Sequence, residues 1–159
     1  MAMFEGFKDF LRTMGVDEAL GLAERASADD PRVAAAALLF HVGEADGAIT
    51  PVEMASLKAA LAEEFGLADD EAERIAEAGR EADQDAVDLY RFTNVLKNKL
   101  DEPARIRFVE ILWDVTYADG TVHELEDNTI WRVADLLGVS TRDRMIGKQH
   151  AARRRERVE

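Results

Sequence analysis

Four carboxylates at matched spacing are the residues of this chain best suited to chemistry. Ala45-Asp46-Gly47-Ala48-Ile49-Thr50-Pro51-Val52-Glu53 and Ala118-Asp119-Gly120-Thr121-Val122-His123-Glu124-Leu125-Glu126 share the pattern A-D-G-x-[IV]-x-x-x-E. Asp46 and Asp119 lie 73 residues apart, and Glu53 and Glu126 keep that offset. Each run follows one apolar helical stretch and precedes another. The aspartate therefore falls in a turn, and the glutamate one helical turn into the next helix. Carboxylates so placed suit a hard cation, which takes oxygen ligands. They equally suit the capping of a helix start.

The cation reading draws on the second half of an EF-hand loop, D-G-x-I-x-x-x-E, where Gly makes the sharp turn and Glu closes the site. Asp46, Gly47, Ile49 and Glu53 fit that half, as do Asp119, Gly120, Val122 and Glu126. The first half fails. The first ligand position falls on Val42 and Val115, and the third on Glu44 and Tyr117. One copy offers too few oxygens for tight calcium, whereas two copies brought together supply four carboxylates. The capping reading is direct for the first copy: Thr50, Pro51 and Glu53 occupy N-cap, N1 and N3 of a capping box. It is weaker for the second, where His123 falls at N-cap. The two readings stand side by side at this point.

The elements that must position these carboxylates are helices. Ala, Leu, Glu and Arg outnumber the β-branched and aromatic residues, and only three prolines occur. Asp29-Asp30-Pro31 starts a helix that runs through Val33, Ala36, Ala37, Phe40 and His41. Thr50 opens the next, which carries Met54, Leu57, Leu61 and Phe65 and stops at Gly66. Asp69 or Asp70 starts a third, and Asp85 a fourth that reaches Leu100. Asp101-Glu102-Pro103 starts a fifth, Glu124 to Leu137 forms a sixth, and Ser140 or Thr141 caps a basic last helix. One further helix is predicted at Met3–Met14, and the weakly patterned stretch Val16–Ala28, with Gly21 inside it, could form a short second one. The expectation is an all-α bundle of seven to eight helices, built on a duplicated helix–turn–helix unit. It predicts that Ala34–Leu67 and Ile106–Val139 superimpose, with Leu39 opposite Leu112 and Leu57 opposite Ile130. The chain reads as one domain over residues 1–159, best supported over 33–140, with a helical extension over 1–28 and the basic helix over 141–159.

Composition excludes several function classes. There is no cysteine, hence no disulfide, thiolate metal site or thiol nucleophile. No run approaches the roughly 18 apolar residues of a membrane span. Met1 to Gly15 is interrupted by Glu5, Lys8, Asp9 and Arg12, unlike a signal peptide, so the expected location is cytoplasmic. The net charge is −13. Residues from Arg142 onward carry seven basic and three acidic side chains, which leaves −17 on the rest. Such a body repels nucleic acid and attracts cations or basic partners, so no nucleic-acid partner is expected.

The chain resembles the TerB family, the tellurite-resistance-B-like helical domain, a fold shared with the N-terminal domain of the DjlA co-chaperone. The resemblance rests on Glu44-Ala45-Asp46-Gly47 with Glu53, and on Tyr117-Ala118-Asp119-Gly120 with Glu126. Asp88-Leu89-Tyr90-Arg91-Phe92-Thr93 and Ile111-Leu112-Trp113-Asp114-Val115 strengthen it. It implies a helical bundle whose carboxylate cluster, here Asp46, Glu53, Asp119 and Glu126, binds a divalent cation such as calcium or magnesium. It also implies a non-enzymatic part in stress or tellurite-resistance systems, with a protein partner and, in peripheral form, a membrane nearby. The alternative is a scaffolding domain whose carboxylates only cap helices.

Other candidate chemistry is sparse. His41 with Glu44, and His123 with Glu126, echo the Glu-x-x-His of di-iron bundles in reverse order, but the two pairs do not occupy equivalent repeat positions. His41 reads instead as a histidine bonded to backbone. Trp113, Trp131, Tyr90 and Phe92 read as core. Arg153-Arg154-Arg155 reads as a solvated helix end rather than a dock for RNA, lipid or the chain's own acidic face. Loss of Gly147–Glu159 is accordingly expected to cost less than ~1 kcal/mol.

Overall fold

The computed structural model describes residues 29–45, 47–86, 89–119 and 124–158. Among them are seven α-helices, one short 3-10 turn and no strand. Asp30 caps α1 (Pro31–Gly43) by accepting from the Arg32 N–H at 2.9 Å, and Pro31 at N1 forfeits no helical bond. Thr50 caps α2 (Pro51–Phe65), and Asp101 caps α5 (Glu102–Thr116) through the Ala104 N–H. Ser140 Oγ accepts from the Asp143 N–H at 3.1 Å and so caps α7 (Thr141–Val158). Between these lie α3 (Asp69–Asp85), α4 (Tyr90–Lys99) and α6 (Glu124–Leu136). The stretches Met3–Met14 and Val16–Ala28 lie outside the described residues.

The expected fourth helix is misplaced at its start. Asp85 is the last residue of α3 rather than the cap of α4, which begins at Tyr90 without a side-chain cap. The acidic run of α3 continues the helix for 17 residues because nothing breaks it before Ala86, which is extended.

Helix α1 is the centre of the bundle. Every residue from Val33 to Phe40 is at most 2% exposed, as befits a helix apolar on all sides. It packs against α2, α3, α4, α5 and α6. The pairs expected to correspond, Leu39 with Leu112 and Leu57 with Ile130, are all buried.

The repeat also extends further than two helices. The most extensive helix pairings are α1 with α3 and α5 with α7, so each copy carries a third helix on its first. Both second helices end at a left-handed glycine, Gly66 (φ 62°) and Gly138 (φ 74°). Just beyond, the Leu67 N–H donates to Ala62 O and the Val139 N–H to Ala134 O, each at 2.9 Å. The offset across this cap is 72 rather than 73, because α6 is shorter than its counterpart α2. With that offset, Gly79 of α3 corresponds to Ala151 of α7, and both are buried small residues.

Two aromatics expected in the core are outside it. Trp113 and Phe92 are buried, but Trp131 is 54% and Tyr90 64% exposed. Trp131 stands one residue beyond the buried stripe Glu126, Ile130, Val133 and Ala134, and the Arg144 guanidinium stacks 5.6 Å from its ring centre. Tyr90 is the first residue of α4, at the rim.

Candidate functional site

The first turn is built from the end of α1. The Glu44 N–H donates to Phe40 O at 2.9 Å, the Ala45 N–H to Val42 O at 3.2 Å, and the Gly47 N–H to Glu44 O at 3.0 Å. Gly47 has φ 135°, a conformation that side-chain-bearing residues rarely adopt. Ile49 folds back onto Gly43, where an added Cβ would lie 2.9 Å from its Cδ1. At the corresponding second-copy positions the sequence has Thr116 and the shorter Val122.

Glu53 is 2% exposed at the third position of α2. Its Oε1 accepts from the Thr50 N–H at 3.2 Å, and the Glu53 N–H donates to Thr50 Oγ1 at 3.1 Å, completing the capping box. One oxygen suffices for that bond. The other, Oε2, is buried and has no hydrogen-bond partner among the described residues. A buried carboxylate oxygen left so is costly and calls for a cation or a water. Capping and binding are thus compatible in one side chain.

Glu126 takes the same place in α6 and is fully enclosed, at 0% exposure. Asp119 ends the 3-10 turn Tyr117–Asp119, which packs against α2, the helix that carries Glu53. The second copy's turn therefore comes to the first copy's glutamate-bearing helix. Asp46 and the side chain of Asp119 lie outside the described residues. Among those described, no three His, Asp or Glu side chains are grouped as metal ligands would be.

One carboxylate escaped the sequence reading. Glu44 Oε1 is buried with no hydrogen-bond partner among the described residues. Its signal was present: it is an acid at the third position of the loop, set aside because the first position, Val42, is apolar. The histidine expectation also needs correction. His41 bonds a carboxylate, not backbone: its Nδ1 is 2.9 Å from Asp83 Oδ1, which ties α1 to α3. His123 lies outside the described residues.

The basic tail is not merely solvated. Lys148 Nζ lies 2.9 Å from Asp127 Oδ1 and 5.0 Å from the Trp113 ring centre. His150 Nδ1 is 3.0 Å from Glu110 Oε1, and Arg154 reaches Asp114 at 2.7 Å and Glu110 at 3.2 Å. Burial pushes the Glu110 carboxyl up, but the His150 bond and the charges of Arg154 and Arg107 outweigh it and hold it below its ordinary value. At Asp114 burial wins over the Arg154 bond, and the carboxyl is raised. Burial lowers Arg154, but its bonds to Asp114 and Glu110 outweigh that and raise it. The pair therefore holds the guanidinium charged without fully offsetting the burial of Asp114.

The family described as tellurite resistance protein TerB matches residues 32–149, from α1 into α7. No curated protein matches the chain, and neither does any solved structure. The match covers the central helix, both A-D-G turns and both glutamates, and the chain belongs to the TerB family.

Proposed function

We propose that the protein is a non-enzymatic interaction module in which a hard divalent cation, calcium or magnesium, is held by Asp46, Glu53, Asp119 and Glu126. The observation that carries this reading is the unpartnered, buried Oε2 of Glu53, on a helix packed against the turn that ends at Asp119. Glu44, at the end of α1, offers one more buried oxygen. Oxygen-only donors select calcium or magnesium over soft metals. The cation would supply charge neutralisation where carboxylates converge, and so fix the two A-D-G turns relative to one another. A protein partner would then read the ordered turns. The family points to tellurite resistance or a related stress response as the setting, and the location proposed from the sequence is the cytoplasm.

Calorimetry on metal-stripped protein tests the reading. Calcium or magnesium should release or absorb heat with the wild type and not with the Asp46→Asn/Asp119→Asn double variant. Zinc should bind more weakly. Absence of heat with all three ions would sink the proposal.

A second reading has its own support, the complete Thr50–Glu53 capping box. In it the carboxylates serve only the fold, and the domain is a scaffold. It expects Thr50→Ala to cost about 0.5–2 kcal/mol equally in EDTA and in calcium. A cost that changes with the ion would count against it.

A further inference from the structure

The third helices of the two copies hold the same place and carry opposite charge. In sequence, α3 has eight acidic and two basic residues, a net of −6; α7 has seven basic and two acidic, a net of +5. Their buried faces do not explain this contrast. On α3, Ala72, Ile75, Ala76 and Gly79 face the bundle. On α7, Gly147 and Ala151 do.

The contrast is sharpest on the outward stripes. Asp70 and Glu81 are exposed on α3, and their counterparts at the 72-residue offset are Arg142 and Arg153, exposed on α7. Both pairs are 11 residues apart, which spans ~16 Å along a helix at 1.5 Å per residue. Arg142 and Arg153 make no ion pair among the described residues, in contrast to Lys148 and Arg154. Glu81 makes none either, nor does its neighbour Glu77. Asp70 has only the exposed Arg74, at 3.6 Å, a kind of contact that contributes little. Between the two arginines α7 also presents Met145 and Ile146, 38% and 37% exposed, which would gain from being covered.

We propose that this protein associates with a second copy of itself head to tail, the acidic stripe of α3 on one copy docking the basic stripe of α7 on the next. The occupant follows from charge. The stripes match in spacing and oppose in sign, so each is the complement of a surface the chain itself displays. The docking is heterologous, so a docked pair still has one stripe of each sign free and the assembly grows as a chain rather than closing as a dimer. One helix against another buries little area, which makes the contact weak and reversible. The net charge of −13 opposes it at long range, and salt near physiological strength screens that repulsion while leaving contacts across the stripe in force.

Sedimentation velocity of the full chain over a concentration series tests this, in excess EDTA so that the result stands apart from cation binding. At ~0.1 M salt, where the Debye length is about 10 Å, the average mass should rise with concentration. At ~1 M, where it is about 3 Å, it should stay monomeric. Two variants exchange the stripe charges: Asp70→Arg/Glu81→Arg on α3, and Arg142→Asp/Arg153→Glu on α7. Each alone should stay monomeric, and an equimolar mixture should recover the rise in mass. Circular dichroism checks that both remain helical. If the α3 variant does not fold, Glu77→Lys/Glu81→Lys takes its place. A wild type that is monomeric at every concentration, a variant that still self-associates, or a mixture that fails to recover each overturns the proposal.

Discussion

The two halves of the repeat reach one architecture through different chemistry. In the first, α3 lies so close on α1 that a Cβ at Gly79 would fall 2.3 Å from Ala36 Cβ and 2.8 Å from Ala37 N. Small residues make the contact, and one His41–Asp83 bridge flanks it. In the second, α7 also lies in contact with α5 but leaves room for a side chain: a Cβ at Gly147 would sit 3.5 Å from Glu110 Cα, an ordinary contact distance. Charge flanks this contact, with Lys148, His150 and Arg154 reaching Asp127, Glu110 and Asp114. The fold thus constrains where a third helix sits and leaves open what holds it. That freedom is what lets the outer faces diverge to opposite sign.

The largest expected effect removes one side of the comparison. Deletion of Gly147–Glu159 strips Ala151, 2% exposed, from the core and uncovers Trp113, which is 0% exposed. The loss should be on the order of 3 kcal/mol by urea unfolding, not the small cost expected from the tail's composition. A change under ~1 kcal/mol would mean that α7 is dispensable to the bundle.

Next comes Gly79→Ala. In an exposed helix this exchange is favourable by about 1 kcal/mol. Here the new methyl meets backbone that cannot yield, and overpacking should make it a net loss of about 1–3 kcal/mol. The loss should be the same at low and high salt, since no charge is involved. A stabilised variant would show that α1 and α3 can separate without cost.

The smallest effect probes the charged side. Glu110→Gln should lower stability by up to about 1 kcal/mol at neutral pH. The folded carboxyl titrates below its unfolded value, so its contribution is present above the ordinary carboxylate range. It should vanish as pH falls below about 4.3, toward the lowered folded value. Asp114 has the opposite sign: its carboxyl is raised, so protonation of that group favours the fold as pH drops. A Glu110→Gln deficit that persists unchanged in acid would contradict the assigned network.

Much of this was legible in the sequence, and the gaps have physical causes. Capping residues with proline in the first turn marked the starts of α1, α2 and α5, and left-handed glycines marked the ends of α2 and α6. Asp85 misled because an acidic residue serves a helix start and a solvated helix face alike. The third repeat helix was hidden by the shift of offset from 73 to 72, and by the reversal of charge between α3 and α7. Trp131 was misplaced because spacing alone does not say which edge of a stripe meets solvent. At the candidate site, the duplicated pattern singles out Glu53 and Glu126, and both are buried glutamates. It could not reveal that Glu53 has one oxygen engaged and one unpartnered, because that division depends on how the turn closes over α2.

That division is the centre of the account, and Glu53→Gln tests it most directly. The amide keeps an oxygen for the Thr50 N–H and loses the charge that a cation needs. Thermal melts of wild type and variant would be run in excess EDTA and again in calcium or magnesium at concentrations well above saturation. The wild type should melt at a higher temperature with the ion than without, by mass action, and the variant should melt at one temperature in both. A wild type whose melting temperature is the same in EDTA and in the ion would contradict the account and leave Glu53 a cap alone.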